Sequence, residues 1–398
     1  MPAMSRSSRL ARSLLTAVGG IACLALVAFT AMSDRNGAPR TETSDDQILR
    51  GRALVVGHAC SGCHGGVFDP ANAGYLAGMQ SPAGEFTFEG FKLRPPNLTP
   101  DNETGLGRFS ERQIFNALRF GLRPRDTPDV EITSTTPGQG NFPATPKYLG
   151  PDMPWPAWRH MSDQELRDIA AYLKRAVRPV SNKVADSEGP PDFWASGYAK
   201  LNGSYPAAPF PTANEVSTAA PDEAVQRGRL LAIHHACGGC HGGGNDNPGT
   251  EGWLAGARTP ADTFMIGPFI TRARNLTPDN VTGLGRFSER QIFNALRYGL
   301  RPGETPDVEI TSTIPGQGNF PLSPKYLAPP MPWPAWRHLT DQELRDIAAY
   351  LKRGLKPVRN KVVDSDGPPD FWASDYTVEK IGPYPATPFP TPKENPDR

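Results

Sequence analysis

The chain lacks an excess of charge of either sign. Its 398 residues include 42 Lys and Arg against 41 Asp and Glu, which gives a formal net charge of +1. A protein that attracts nucleic acid through its electrostatic field needs a strongly basic surface. The charge balance therefore predicts no nucleic-acid partner.

Apolar residues are also scarce. Hydrophobic side chains make up 38% of the sequence, whereas Pro and Gly number 44 and 40, both above their average usage. This composition favours compact helices joined by long ordered loops. A bound apolar cofactor would relieve the shortage of core volume, because a ligand of the folded state adds to its stability.

Cysteine is nearly confined to two short motifs. Four of the five cysteines lie in Cys60-Ser-Gly-Cys63-His64 and Cys237-Gly-Gly-Cys240-His241. A zinc site would need further ligands at recognisable spacing, and a thioredoxin-like dithiol would lie beside a strand of a βαβ unit. Neither pattern is present, whereas C-x-x-C-H is typical of covalent haem attachment. We therefore predict two haem c groups, with the thioethers and the first iron ligands supplied by Cys60, Cys63, Cys237, Cys240, His64 and His241.

The two motifs belong to an internal repeat with an offset of 177–178 residues. Asn97–Pro124 and Asn275–Pro302 differ at only two positions. A period this long indicates two whole domains. The predicted organisation is an N-terminal segment (1–40), a first domain (44–199), a linker (200–220), a second domain (221–383) and a Pro-rich tail (384–398). Because the tail resembles the linker, we expect it to lie across a domain surface as a strap, with a free tail as the alternative.

Both domains are predicted to be all-α with long Pro/Gly-rich loops. Capping sequences mark helix starts at Ser44, Ser110 and Ser162 in the first domain. Ser288 and Thr340 repeat the last two. In the helix from Ser162, the apolar residues Leu166, Ile169, Ala170 and Leu173 fall on one face. The charged residues of the helices from Ser110 and Ser162 are interpreted as solvated. Strand signals are weak, and the best run, at 130–133, is interpreted as a small hairpin or a loop.

A haem iron held by one His takes a second axial ligand. Of the eight methionines, only Met153 and Met331 occupy equivalent places in both copies, each followed by Pro-Trp. The Pro restrains the loop and helps to aim the thioether. We therefore favour Met153 and Met331 as ligands over a plain core role. His160 and His338, near the start of each last helix, are the alternative ligands, although a surface or capping role suits them better.

Two other pairs are duplicated. His58 and His235 lie two residues before the first haem cysteine, which keeps them near the proximal side. Arg94 and Arg272 precede the repeated Asn-Leu-Thr-Pro-Asp. These arginines are candidates for pairing with haem propionates, since Arg recognises carboxylates well, and a plain surface role is the alternative.

The N-terminal segment has the features of an export signal. Arg6, Arg9 and Arg12 precede an uncharged apolar run of 19 residues, 14–32. Such a run can span a bilayer, and the basic flank places the N-terminus in the cytoplasm. We expect an anchor helix in the cytoplasmic membrane with the haem domains on the periplasmic side. A cleaved signal peptide, which leaves a soluble periplasmic protein, is the alternative.

The motifs, taken in order, resemble those of class I cytochrome c modules. The series is C-x-x-C-H, then Asn-Leu-Thr-Pro-Asp with Thr-Gly-Leu-Gly, then Met-Pro-Trp, then Asp-Gln-Glu-Leu-Arg-Asp. In particular, both halves resemble the haem subunits of membrane-bound periplasmic dehydrogenases that act on alcohols, aldehydes and gluconate. The resemblance implies two tandem cytochrome c-like domains with His64/Met153 and His241/Met331 as ligand pairs. Two modules stand where that family commonly has three, and Phe109 and Phe287 replace its usual Trp.

Two His/Met sites predict an electron carrier and not an enzyme. Such ligation raises the reduction potential and leaves no open coordination position, and the sequence contains no separate catalytic constellation. We expect electron transfer through two haems from a donor such as a dehydrogenase subunit to a respiratory acceptor such as a terminal oxidase or a soluble cytochrome. The alternative is a di-haem enzyme, such as a peroxidase or a thiosulfate-oxidising cytochrome, which would need a different ligand set in one domain.

Overall fold

A computed structural model describes most of the chain beyond the N-terminal segment. The described residues are 43–88, 91–150, 152–188, 206–217, 222–244, 246–259, 262–266, 268–365, 372, 374 and 376–395. The predicted anchor at 1–40 lies outside these ranges. Among the described helices, none is long and apolar enough to cross a bilayer.

The first repeat, called the first module below, is built mainly from α-helices. Its elements are α1 (Ser44–Gly57), α2 (Cys60–His64), β1 (Phe86–Phe88), β2 (Phe91–Leu93), α3 (Glu111–Phe120), α4 (Trp155–Trp158) and α5 (Asp163–Ala171). A π-helical turn, Tyr172–Ala176, extends α5. Three short 3-10 turns lie in the loops, at Pro82–Gly84, Leu106–Arg108 and Pro124–Asp126.

The second repeat, the second module, has the same series of elements. They are α6 (Glu223–His234), α7 (Cys237–His241), β3 (Phe264–Ile266), β4 (Phe269–Thr271), α8 (Glu289–Tyr298), α9 (Trp333–Trp336) and α10 (Asp341–Ala349). A π-helical turn, Tyr350–Gly354, again follows the last long helix. The 3-10 turns are Leu284–Arg286 and Pro302–Glu304, and a short helix, α11 (Val378–Ile381), precedes the tail.

Reciprocal side-chain caps explain where the helices begin. Ser110 accepts a hydrogen bond from the backbone N–H of Gln113 at 3.0 Å, and the Gln113 side chain accepts one from the N–H of Ser110 at 3.1 Å. A reciprocal cap of the same kind, made by other residues, starts α5, α8 and α10. These predicted starts are therefore confirmed. The start predicted for α1 is wrong by one residue. Thr43, not Ser44, is the cap, because Asp46 is its reciprocal partner.

In each module, the first helix crosses the last long helix at a glycine. A β-carbon on Gly51 of α1 would lie 2.0 Å from the backbone oxygen of Asp168 in α5, so only glycine permits this approach. Beside the crossing, Arg50 Nε donates to the buried Asp168 carboxylate at 2.7 Å. Gly228 and Asp346 repeat the contact at 1.8 Å.

The apolar face predicted for α5 lies in the core of the first module. Its members, all buried in one cluster, are Leu166, Ile169, Ala170 and Leu173. The second module has an equivalent cluster. The charged residues of α3 and α5 are not all solvated: Arg119 of α3 is 8% exposed and Asp168 of α5 is 1% exposed. The sequence patterns thus place the apolar core correctly but miss these buried ionic groups.

Each module also contains a small hairpin that the sequence patterns do not predict. β1 pairs antiparallel with β2, with Phe86 opposite Leu93, and β3 pairs with β4, with Phe264 opposite Thr271. The predicted candidate at 130–133 is a loop. Each strand is three residues long, too short for an alternating pattern to stand out. The described residues are therefore mostly helical, and the all-α prediction holds apart from these hairpins.

Two proline-rich segments lie on the modules, each fixed by a buried glutamate. Glu215 of the linker accepts a hydrogen bond from Arg229 of the second module at 2.6 Å. Glu394 of the tail makes the same contact, also at 2.6 Å, with Arg52 of the first module. The tail is therefore an ordered strap, as predicted. It covers the first module, although the second module directly precedes it in the sequence.

Residues from Thr43 onwards form one compact unit. Ala59 and Phe68 of the first module pack against the core of the second, and Ala236 packs against the core of the first. The modules therefore share an extensive contact, while the exact domain boundaries remain predictions.

We expect Glu394→Ala to lower the free energy of unfolding by about 3–5 kcal/mol. The change leaves the guanidinium of Arg52 buried without its carboxylate and removes the acceptor of the Tyr172 hydroxyl. Chemical denaturation followed by circular dichroism measures the loss.

Glu131→Ala is the matched control, because Glu131 is exposed in the same module. A surface change of this kind shifts the free energy of unfolding by less than about 0.5 kcal/mol. Equal stability of the two variants would contradict the role given to the strap.

Candidate haem sites

A sharp change of backbone direction separates each first helix from its C-x-x-C-H motif. Ala59 adopts a left-handed φ of 59° before α2 begins at Cys60. Ala236 adopts a φ of 52° before Cys237. This conformation is costly for a residue with a β-carbon, so packing must stabilise it. Each alanine packs against the core of the other module, which supplies that packing.

The motif histidines are oriented by backbone carbonyls. His64 Nδ1 donates to the oxygen of Pro96 at 2.8 Å, and His241 Nδ1 donates to the oxygen of Arg274 at 2.6 Å. Burial lowers the pKa of both rings, so they are neutral. A neutral imidazole that donates through Nδ1 keeps its Nε2 lone pair for a metal. Both side chains thus have the tautomer that an iron ligand needs.

Tight loops hold the segment after each motif. A β-carbon on Gly66, which has a φ of 95°, would lie 2.3 Å from the Cα of Tyr75. The backbone N–H of Gly78 donates to the carbonyl of His64 at 2.6 Å. Gly256 and His241 repeat the second contact at 2.6 Å. These contacts fix the backbone on which the motif histidines stand.

The four motif cysteines are free thiols. Cys60 and Cys237 are half-buried, and burial raises the pKa of each thiol to about 12. Cys63 and Cys240 are exposed. No disulfide competes for these thiols, so all four are available for thioether bonds to a porphyrin.

Both modules leave the same five apolar side chains only partly buried against the core. In the first module they are Leu54, Cys60, Leu98, Phe109 and Met153. In the second they are the repeat-equivalent Leu231, Cys237, Leu276, Phe287 and Met331. We call each set the apolar wall. Each apolar wall includes the attachment cysteine and the predicted Met ligand. Apolar surface that the protein covers only partly fits a large apolar ligand such as haem.

A buried polar group also fits such a ligand. The indole Nε1 of Trp333, two residues after Met331, is buried and makes no hydrogen bond to the described residues. Buried donors are almost always paired. A carboxylate-bearing cofactor in the site would supply the acceptor that is missing from the protein.

The predicted propionate partners are already engaged by the protein. Arg94 Nε donates to Glu85 at 2.8 Å, and its terminal nitrogens donate to Glu188 and to the backbone of Asp186. Arg272 donates to the backbone oxygen of Asp364 at 2.7 Å. Both arginines therefore bond the loop before the Asn-Leu-Thr-Pro-Asp segment to a later segment of the same module, at Asp186 and Asp364. This is a structural role.

The surface role predicted for His160 is wrong. Its side chain is 4% exposed, its Nε2 donates to Asp246 at 2.8 Å and its Nδ1 accepts from the N–H of Ala207 at 3.2 Å. With both nitrogens occupied, His160 does not suit an iron. In the second module, burial and the nearby guanidinium of Arg337 lower the pKa of His338 to about 3.

Sequence reasoning missed an ion pair between the modules. Asp246, 1% exposed, accepts from Arg159 Nη2 at 2.7 Å as well as from His160. The repeat-equivalent Asp69 is half-buried and accepts instead from the N–H of Ala71 and the hydroxyl of Thr387. Since the two aspartates have the same place in the repeat, no sequence signal could separate their roles.

Comparison with known proteins finds relatives that are cytochromes. No protein-family profile matches it. It is 26% identical over 360 residues to the gluconate 2-dehydrogenase cytochrome c subunit of Pantoea cypripedii, covering 86% of this chain and 66% of the relative. It is 26% identical over 352 residues to the alcohol dehydrogenase (quinone) cytochrome c subunit of Gluconacetobacter polyoxogenes, covering 85% and 61%.

A shorter relative matches over most of its own length. The diheme cytochrome c-type protein of Cereibacter sphaeroides is 24% identical over 312 residues, which cover 77% of this chain and 86% of the relative. The chain thus spans about two thirds or less of the dehydrogenase subunits. It is related by sequence to cytochrome c subunits of dehydrogenases, which are electron-transfer and not catalytic subunits, and to a di-haem cytochrome c.

We expect Asp246→Ala to lower the free energy of unfolding by about 3–5 kcal/mol, because it leaves the buried guanidinium of Arg159 without its counter-charge. The repeat-equivalent Asp69→Ala removes no ion pair and is expected to cost clearly less. Thermal unfolding of both variants measures the difference. A larger loss for Asp69→Ala would refute the assignment of the inter-module ion pair.

Proposed function

We propose that this chain is a membrane-anchored periplasmic cytochrome with two covalent haem c groups that passes electrons from a dehydrogenase to a respiratory acceptor. The observation that supports it most is the apolar wall. The same five side chains, including an attachment cysteine and a methionine, recur in both modules, and each module also has a neutral, oriented motif histidine.

In this proposal each module holds its haem through four residues. Cys60 and Cys63, or Cys237 and Cys240, form the thioethers. His64 with Met153, and His241 with Met331, are the axial pairs. A haem held in this way supplies a one-electron couple of raised reduction potential with no open coordination position.

The methionine loops are suited to holding a thioether in place. The N–H of Met153 donates to the oxygen of Gly150 at 3.0 Å, and the oxygen of Met153 accepts from the N–H of Trp155 at 2.8 Å. Met331 repeats both contacts, with Ala328 and Trp333, at 2.9 Å. Both turns lead directly into α4 and α9, so a short helix anchors each loop.

The proposed partners follow from the relatives and from the N-terminal segment. Relatives named as subunits of gluconate and alcohol dehydrogenases support a dehydrogenase as donor. The uncharged run at 14–32 behind three arginines supports a membrane anchor with the modules in the periplasm. A terminal oxidase or a soluble cytochrome is the proposed acceptor.

A di-haem enzyme is the less favoured function. A peroxidase or a thiosulfate-oxidising cytochrome needs one haem with an exchangeable or unusual ligand. Both modules have the same wall and the same orientation of the motif histidine. No described feature sets one module apart as catalytic.

We expect two covalent haems per chain in the pyridine haemochrome assay. The double variant Cys60→Ala/Cys63→Ala should retain one haem, because the thioethers of the second module are untouched. Cys237→Ala/Cys240→Ala is the reciprocal control and should also retain one. Unchanged haem content in either variant would refute the assignment of the attachment sites.

We expect Met153→His to keep both covalent haems but to lower the reduction potential of one, because Met ligation raises the potential relative to a second His. Met331→His should do the same to the other haem. Redox titration followed by optical spectra measures the shifts, and the methionine–iron charge-transfer band should lose part of its intensity in each variant. Met161→Leu, a change in the first core that introduces the residue found at the repeat-equivalent Leu339, should leave the band intact.

A further inference from the structure

The contact between the modules includes a pair of stacked histidines. The rings of His58 and His235 have centroids 4.5 Å apart and planes inclined by 22°. His58 caps the C-terminus of α1, and His235 caps the C-terminus of α6. Each histidine lies two positions before the first attachment cysteine of its module.

The pair is buried and neutral. Both ring nitrogens of His235 and the Nε2 of His58 are buried without a hydrogen-bond partner among the described residues, and the Nδ1 of His58 donates to the oxygen of Leu54 at 2.9 Å. Burial lowers the pKa of both rings. The two imidazoles therefore meet through shape and van der Waals contact, and not through charge.

Two tryptophans connect the pair to the helices that follow the methionine loops. Trp158 lies edge-on to His58 with centroids 6.1 Å apart, and Trp336 lies edge-on to His235 with centroids 5.7 Å apart. These tryptophans end α4 and α9, the helices that follow the methionine loops. In addition, α4 contacts α6 and α1 contacts α9 across the modules. In both modules the stacked pair is thus linked to the attachment motif along the chain and to the helix after the methionine loop through a tryptophan.

Resting on the proposed di-haem function, we propose that the His58–His235 pair is a positioning element for electron exchange between the modules. The pair fixes the separation of the two attachment motifs, so that electrons pass from one haem to the other across this contact. One electron leaves the reduced haem and one enters the oxidised haem, and no bond or proton changes place.

Chain geometry makes the pair an effective spacer. Two residues span at most about 7 Å, so Cys60 and Cys237 each lie within that distance, Cα to Cα, of a histidine in the stacked pair. The left-handed residues Ala59 and Ala236 pack against the opposite core, which leaves the connection little freedom. Electron-transfer rates fall steeply with separation, so a contact that keeps the two attachment motifs close favours exchange.

The experiment compares the wild type with two double variants, His58→Ala/His235→Ala and His58→Phe/His235→Phe, all in the haem-loaded chain. Pulsed electron paramagnetic resonance of the oxidised protein gives the distance between the two irons. We expect one narrow distance in the wild type, a longer or broader distribution in the alanine variant, and a return to a narrow distance in the phenylalanine variant, which restores two stacking rings.

Exchange kinetics give the second readout. After flash reduction, with Met331→His in every protein to distinguish the second haem, the exchange rate between haems should fall about tenfold or more in the alanine variant. Ile132→Ala/Ile310→Ala, which truncates buried residues in smaller clusters outside the two main cores, is the control for general destabilisation. Its iron–iron distance should match that of the wild type, and its exchange rate should match that of the protein that carries Met331→His alone.

The outcomes separate the two hypotheses. A wild type without two covalent haems overturns the proposed function and, with it, the positioning role. Two haems with the same iron–iron distance and exchange rate in the wild type and the alanine variant overturn the positioning role alone. If the alanine double variant does not accumulate, the single variants His58→Ala and His235→Ala are compared in the same way.

Discussion

The crossing of the first helix over the last long helix is the constraint on which each module depends. At Gly51 and Gly228 the backbones approach so closely that any β-carbon would overlap a carbonyl oxygen. Arg50 and Arg227 then bond the buried aspartates beside the crossing at 2.7 Å. The crossing fixes the position of α1 and α6 on each core. Both helices end six residues after the crossing glycine, and the chain then turns at a left-handed alanine into its C-x-x-C-H motif.

Features encoded by neighbouring residues could be predicted from the sequence. Reciprocal caps such as Ser110 with Gln113 need only a three-residue spacing, and the helical period of α5 shows its buried face directly. Internal repetition then selected Met153 and Met331 from eight methionines, and both lie in the apolar walls beside the attachment cysteines. Their coordination to iron stays a prediction, since it depends on a cofactor and not on the chain alone.

Contacts between distant segments could not be predicted in this way. His160 lies near the start of a helix, where surface residues are common. In the fold it is buried and bonds to a carboxylate 86 residues away in the chain. In the sequence, nothing marks Arg94 as bound to carboxylates. In the fold, it donates hydrogen bonds to Glu85 and Glu188. The repeat also misleads, because it implies equal surroundings for equal residues. Asp246 neutralises Arg159, whereas Arg337 donates to the carbonyls of Pro334, Ile381 and Gly382.

The strap of the first module has a consequence for the order in which the protein is made. Arg52 emerges early in synthesis, but its partner Glu394 lies 342 residues later. The second module receives Glu215 before its own Arg229 is translated. The half that is synthesised first is thus the half that is finished last. Until Glu394 is translated and reaches the folding compartment, Arg52 lacks both its counter-ion and the strap residues that contact it, so a truncation before Glu394 would destabilise the first module.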